Sequence, residues 1–235
     1  MGQCNSPESQ AEPLQYKTLK LTYFNIEGAA EKLRLLFVLT GTAFEDNRIS
    51  FQEFGALKDS LPTGQVPVLE IDGKQMAQSY ALLRLLGRKL GGGKYYPEAK
   101  LFEIEYALGV HEDLARAWAP GMMIALRPAI LGHEFAGDDD KTAKVKALRE
   151  KFGEEQLEKF LKTYTDILEN AGGGFFCGSE VTIADLAILP QIRYFHNGIA
   201  DHVDPKIIGK FPVVTAWMER MQAIPAIAKW YESKK

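Results

Sequence analysis

Cysteine is nearly absent from this chain. Of 235 residues only Cys4 and Cys177 are cysteine, and none lies from residue 17 to residue 176. That excludes a disulfide scaffold and a thioredoxin-type dithiol site, and it fits a reducing compartment. The four histidines, His111, His133, His196 and His202, have no companion at metal-ligand spacing, so no metal site is expected. Neither sign of charge is in excess. With 28 basic and 31 acidic residues the formal net charge is −3 and there is no basic stripe, which argues against nucleic acid as a partner. No apolar run reaches the roughly 18 residues of a membrane-spanning helix, and no internal repeat is visible. What is present, 46% hydrophobic and 25% charged residues, is the composition of a globular chain with material for one large core or two modest ones.

The opening stretch MGQCNSPESQAEPLQY, residues 1–16, is polar and proline-bearing and reads as a disordered tail. It also fits M-G-x-x-x-[ST] through Gly2 and Ser6, with Cys4 placed for a second acyl chain. One acyl chain holds a membrane weakly and two hold it stably. Two readings stay open: a chance match, or a lipid anchor on an otherwise cytoplasmic protein.

Residues 17–24, KTLKLTYF, alternate in the manner of a half-buried strand, and EKLRLLFVLTG is a nearly all-apolar helix stopped by Gly41. AFEDNRIS reads as a strand and FQEFGALKDSLPTG as a short helix. VPVLEIDGKQMA reads as a hairpin turning at Asp72-Gly73, and SYALLRLLGRKLGGG as a helix. The order β-α-β-α-β-β-α makes residues 17–94 one small α/β domain. After glycines and Pro97, residues 98–235 carry only helical periodicity. There KTAKVKALREKFGEEQLEKFLKTYTDILENAGGG forms one long amphipathic pattern, Pro120-Gly121 is expected to bend a helix, and Pro190 and Pro225 to interrupt helices.

Three features could bear chemistry. Val66-Pro67 opens a strand; a cis bond there would leave the Val66 backbone groups available to an extended peptide, whereas a trans proline would be an ordinary strand start. Ser79, preceded by Gln78, sits where a helix N-cap belongs, either as plain capping or as a carboxylate site. Tyr23 ends the first strand at the mouth of a helix. It is either a core aromatic or a hydroxyl that donates to a thiolate and so lowers a thiol's pKa.

Taken in order, LTYFNIEGAAEKLRLLF, QVPVLEIDG, QSYALLR, EVTIADLA and FPVVTAWMERMQAIPAIAKW resemble the sigma-like class of cytosolic glutathione transferases, which includes the haematopoietic prostaglandin D synthases. The resemblance covers about residues 17–235. It implies an α/β thioredoxin-like N-terminal domain with a cis proline, followed by an all-α C-terminal helical domain. It also implies a homodimer, and glutathione as co-substrate with no covalently bound cofactor. By motif, Tyr23 would hold the thiolate, and Val66, before Pro67, the cysteinyl backbone. Gln78 and Ser79 would take the γ-glutamyl carboxylate, and Lys58 and Gln65 the glycyl end. Phe54 stands where many members have tryptophan. Asp113, beside Glu112, would reach the partner subunit's γ-glutamyl amine. An apolar electrophile would lie in the cleft between the domains, against Trp118, Met122 and Met123, each of which equally fits ordinary helical core.

The chain departs from the family at one place. Where sigma members read R-G-R-A-E, it reads Glu27-Gly28-Ala29-Ala30-Glu31, so the guanidinium expected near Tyr23 and the sulfur is missing at Ala29. The resemblance implies conjugation of glutathione to apolar electrophiles, or prostaglandin-type isomerisation or peroxidase chemistry by the same thiolate. Ala29 and Phe54 point to a third possibility, a weakly active binding protein like the crystallins derived from this class. Thr182 and Asp185 need no family: T-I-A-D is a capping box that starts a buried helix.

Overall fold

The computed structural model describes residues 14–234, which fall in two compact units dividing between Ala99 and Lys100. The first contains β1 (Leu19–Phe24), a 3-10 turn at Gly28–Ala30, α1 (Glu31–Thr40), β2 (Glu45–Ile49), α2 (Phe51–Leu57), β3 (Val68–Ile71), β4 (Lys74–Met76) and α3 (Ser79–Lys89). Its sheet has the order β2-β1-β3-β4. Strand β2 runs parallel to β1, so the two need the α1 crossover; β3 is antiparallel to both β1 and β4, so a tight turn joins β3 to β4. Leu19, Leu21 and Tyr23 point into the core, as the alternation requires. The hairpin residue Asp72 adopts φ 48°. Its carboxylate accepts from the amides of Lys17 (2.7 Å) and Thr18 (2.8 Å), tying the turn to the start of β1.

Gly2 and Cys4 lie outside the described residues. The folded unit begins earlier than the composition suggests: Leu14 N–H donates to Lys89 O and Tyr16 Oη to Ala43 O, each at 3.4 Å. Polar composition marks residues 14–16 as tail because it carries no trace of single long-range hydrogen bonds.

The second unit is helical: α4 (Leu101–Leu126), α5 (Asp138–Phe152), α6 (Glu158–Ala171), α7 (Ile183–His196), α8 (Lys206–Gly209), α9 (Pro212–Gln222) and α10 (Pro225–Glu232). Two details differ from the sequence reading. The long pattern is divided into α5 and α6 by a π-helical segment, Gly153–Leu157. Pro190 sits inside an unbroken α7, while Pro225 occupies the first turn of α10, where a missing N–H costs nothing. Pro120 lies within α4, which runs on to Leu126. Gly121 serves packing: a Cβ there would stand 2.9 Å from Trp118 Cζ3. Its carbonyl accepts from Arg149 Nε at 2.8 Å.

One carboxylate organises this unit. Asp185 is fully buried. It accepts from Thr182 N–H (2.9 Å) and Oγ1 (3.1 Å), from Phe176 N–H (3.0 Å) and from Trp217 Nε1 (2.9 Å). The capping residue therefore also ties the segment before α7, and α9 behind it, to one point. Burial pushes its carboxyl above the ordinary aspartate range, against the pull of those donors. Asp185→Ala strands three buried N–H donors and is expected to cost about 3 kcal/mol of stability, read as an earlier denaturant midpoint in tryptophan fluorescence; Asp185→Asn, which keeps an acceptor oxygen, loses less. Cys177 is buried beside Thr182, and burial pushes its thiol up to about 12. Iodoacetamide at about pH 8 is expected to spare Cys177 in the native protein and to modify it after unfolding, since the thiolate is the reactive form; peptide mass measurement distinguishes the two.

Candidate functional site

The topology of the first unit gathers the sequence-predicted residues at one end of its sheet. Strands β1 and β2 both end there, at Phe24 and Ile49. Because β3 is antiparallel to β1 and their ladder ends with Thr22 opposite Val68, Tyr23 and Pro67 are the next residues of the two segments at that end. Strand β4 finishes beside the start of β3, with Met76 opposite Leu69, so Gln78 and Ser79 follow at the same end. Helix α2, which leaves β2 through a Ser50–Glu53 capping box, carries Phe54 and leads to Lys58.

Tyr23 is 8% exposed. Its hydroxyl oxygen accepts a hydrogen bond of 3.1 Å from Ala29 N–H, in the turn that opens α1. The phenol's single proton therefore remains to donate elsewhere, and accepting a bond at oxygen strengthens that donation. Burial raises the Tyr23 pKa above the ordinary value, outweighing the Ala29 amide and the Arg34 guanidinium, both of which lower it. At neutral pH the group is a neutral donor. Gly28 makes the geometry possible: it adopts φ 44°, and a Cβ there would lie 2.6 Å from Tyr23 Oη.

Arg34 is the residue that sequence reasoning missed. The four residues EGAA hold no cation, yet this guanidinium, in the first turn of α1, is fully buried with its carbon 5.8 Å from the Tyr23 ring centroid. Nε donates to Asp46 Oδ1 (2.9 Å), and Nη1 to Glu31 Oε2 (3.2 Å) and the Ile26 carbonyl (2.7 Å). The signal was present in EKLRLLFVL: a cation amid buried apolar residues requires partners, and Glu31 stands three positions before it.

The Val66-Pro67 bond is cis, and the β1–β3 ladder begins one residue later, at Val68. Ser79 is not the N-cap but the first residue of α3. Gln78 is the N-cap, in the left-handed region at φ 73°, ψ 84°, with no side-chain cap bond. The motif of a serine before an apolar run could not show that shift by one residue, because it depends on a strained backbone held by its surroundings. Phe54 packs edge-on against Phe24, ring centroids 5.3 Å apart. Lys58 lies beside the Gly64 turn that leads to Gln65: a Cβ on Gly64 would stand 3.8 Å from Lys58 Cε.

Residues 19–88 match the family model of the glutathione S-transferase N-terminal domain, and residues 132–234 that of its C-terminal domain. The chain belongs to the glutathione S-transferase family. It is 36% identical to probable glutathione S-transferase 5 of Caenorhabditis elegans over 219 residues, covering 92% of this chain and 96% of that one. A nematode-specific glutathione S-transferase structure from C. elegans superposes with a TM-score of 0.74 at 33% identity, covering 93% and 97% of the two chains. The prostaglandin synthase D of Nilaparvata lugens superposes at 0.76 and 27% identity, covering 93% and 99%. A sigma-like glutathione transferase is what these likenesses describe.

In the helical unit of this glutathione transferase, Asp113 is exposed on α4 and ion-paired with Arg116 at 2.8 Å. Met122 and Met123 are half-buried on the same helix. Trp118 departs from its expected place against an electrophile. It is 3% exposed, packed among the rings of Phe152, Tyr194 and Phe195, and belongs to the core. Helical periodicity put it near the methionines but could not tell which face the fold would cover.

Gly28→Ala adds a methyl where both the backbone and Tyr23 Oη forbid it. It is expected to destabilise the protein by about 1–3 kcal/mol, seen as a lower thermal midpoint and faster exchange of the Ala29 amide. Gly55→Ala, whose added methyl meets nothing within 4 Å, is the control and leaves both unchanged or improved.

Proposed function

We propose that the protein conjugates glutathione to apolar electrophiles, with the Tyr23 hydroxyl donating to the glutathione thiolate. The observation that carries this reading is the Ala29 N–H to Tyr23 Oη bond, which leaves a buried, neutral phenol with its proton as a donor. Bringing a thiol from about 8.5 down by two units needs roughly 2.7 kcal/mol of preference for the anion. A hydrogen bond to a charged group contributes about 1.5–3 kcal/mol, and the N-terminus of α1 adds about 0.3–1 kcal/mol. The sum reaches the requirement without a guanidinium at position 29. The thiolate sulfur then bonds to the electrophilic carbon and the leaving group departs with its electron pair, the thiol proton having passed to solvent.

In this reading residues 17–94 form the glutathione-binding domain and residues 98–235 the domain that contributes to electrophile binding, with Met122 and Met123 as adaptable apolar contacts. The uncapped N-terminus of α3, at Gln78 and Ser79, takes the γ-glutamyl carboxylate. The Val66 backbone, outside the strand ladder and before cis Pro67, pairs with the cysteinyl residue. Lys58 and Gln65 meet the glycyl end, and Phe54 packs beside them without the donor a tryptophan would bring. Asp113 serves the site of the partner in a homodimer acting in the cytoplasm. An isomerase reading is favoured by the likeness to prostaglandin synthase D of N. lugens and would use the same thiolate.

Turnover of an aryl halide with glutathione tests the proposal. Tyr23→Phe is expected to lower kcat/KM about 10–100-fold, the loss of about 1.4–2.7 kcal/mol of transition-state stabilisation, with glutathione-affinity retention unchanged. Retention without turnover in either protein would establish a binding protein instead.

A further inference from the structure

The bond that holds Tyr23 Oη comes from a turn, Gly28–Ala30, whose start has no side-chain cap. The stretch before it is held by one guanidinium. Arg34 donates to the carbonyls of Ile26 (2.7 Å), Glu27 (3.3 Å) and Phe24 (3.5 Å). Arg34 is itself fixed by Asp46 (2.9 Å) and Glu31 (3.2 Å), and is fully buried. Arg48, opposite Tyr23 in the β1–β2 register, donates to the second oxygen of Asp46 (2.8 Å) and to Asn25 Oδ1 (3.0 Å). Every residue from Phe24 to Glu27 thus gives an oxygen to one of two arginines.

We infer that Arg34 is the positioning residue of this site: its guanidinium locks residues 24–27 so that the Ala29 amide meets the Tyr23 hydroxyl. The inference rests on the Tyr23 reading above. The alternative is that Arg34 acts through its field, as a replacement for the guanidinium missing at Ala29. The charges in contact oppose that. Arg34 and Arg48 are matched by Glu31 and Asp46, and Glu27, half-buried in the turn, adds a further carboxylate. Among carboxylates the Arg34 guanidinium draws an anion less than a lone cation would, whereas its bonds to three carbonyls hold the backbone directly.

Asp46→Asn separates the two roles by sign. It removes a negative charge near Tyr23 while keeping the side-chain shape, so a field role lowers the pKa of bound glutathione. A positioning role raises it, because an amide has one acceptor oxygen where Asp46 uses two, so Arg34 and Arg48 cannot both stay anchored. Arg34→Lys keeps the charge and loses the fork. In both variants we expect the acid limb of the kcat/KM pH profile to move up by about one unit, or about tenfold less thiolate below it, with KM for glutathione held within about twofold. In the free protein, exchange of the Ala29 amide is expected to quicken about tenfold while β3 amides stay protected. An acid limb moved to lower pH, or an unchanged Ala29 exchange rate, overturns the inference. Should Arg34→Lys fail to fold, Asp46→Asn decides alone. Absent wild-type turnover defeats the Tyr23 reading, and the amide-exchange arm still decides whether Arg34 holds the turn.

Discussion

A single hydrogen bond from a backbone amide to a side chain, Ala29 N–H to Tyr23 Oη, constrains the end of the sheet on which the proposed chemistry rests. For it to form, the chain must leave β1 and enter α1 within a few residues, at a turn tight enough to bring an amide over a ring. A side chain at position 28 would occupy the space of the hydroxyl, so the residue there is glycine at positive φ. The carbonyls that such a turn exposes to the interior must find donors, and a buried arginine supplies them. That arginine in turn requires carboxylates, a buried one on α1 and a half-buried one on β2. The charged residues inside an apolar helix are thus consequences of where one amide has to point.

The helical unit solves a similar problem with the opposite charge. There Asp185 collects donors from the chain before α7, from the start of α7 and from an indole on α9. In both units a fully buried ionisable group is surrounded by the backbone and side chains it orders, and apolar packing encloses it. Burial alone would place helices and strands approximately; directional bonds to a group that cannot be left unsatisfied set their register.

The order of strands and helices was legible before any coordinates, because β1 alternates, α1 is apolar with a glycine stop, and Asp72-Gly73 is a strong hairpin signal. The capping box at Thr182 was legible too, because it depends on residues three apart in sequence. The N-cap of α3 was misplaced by one residue, since a left-handed glutamine leaves no local mark. Pro190 was read as a break although α7 runs through it, the buried surroundings outweighing one lost hydrogen bond. Trp118 was placed beside a ligand, although the fold turns it into an aromatic core, because periodicity reports a face and not what covers it.

Element order and family were legible in the chain alone, because both follow from local pattern and from motifs a few residues long. Only the tertiary structure decided how Tyr23 is held. It brought Asp46 to Arg34 across twelve positions and Val68 opposite Thr22 across more than forty, and it placed a cation near the phenol when the adjacent motif contains none. Contacts of that range depend on the register of strands and on which polar groups burial obliges to pair, and neither is written in any short stretch of the chain.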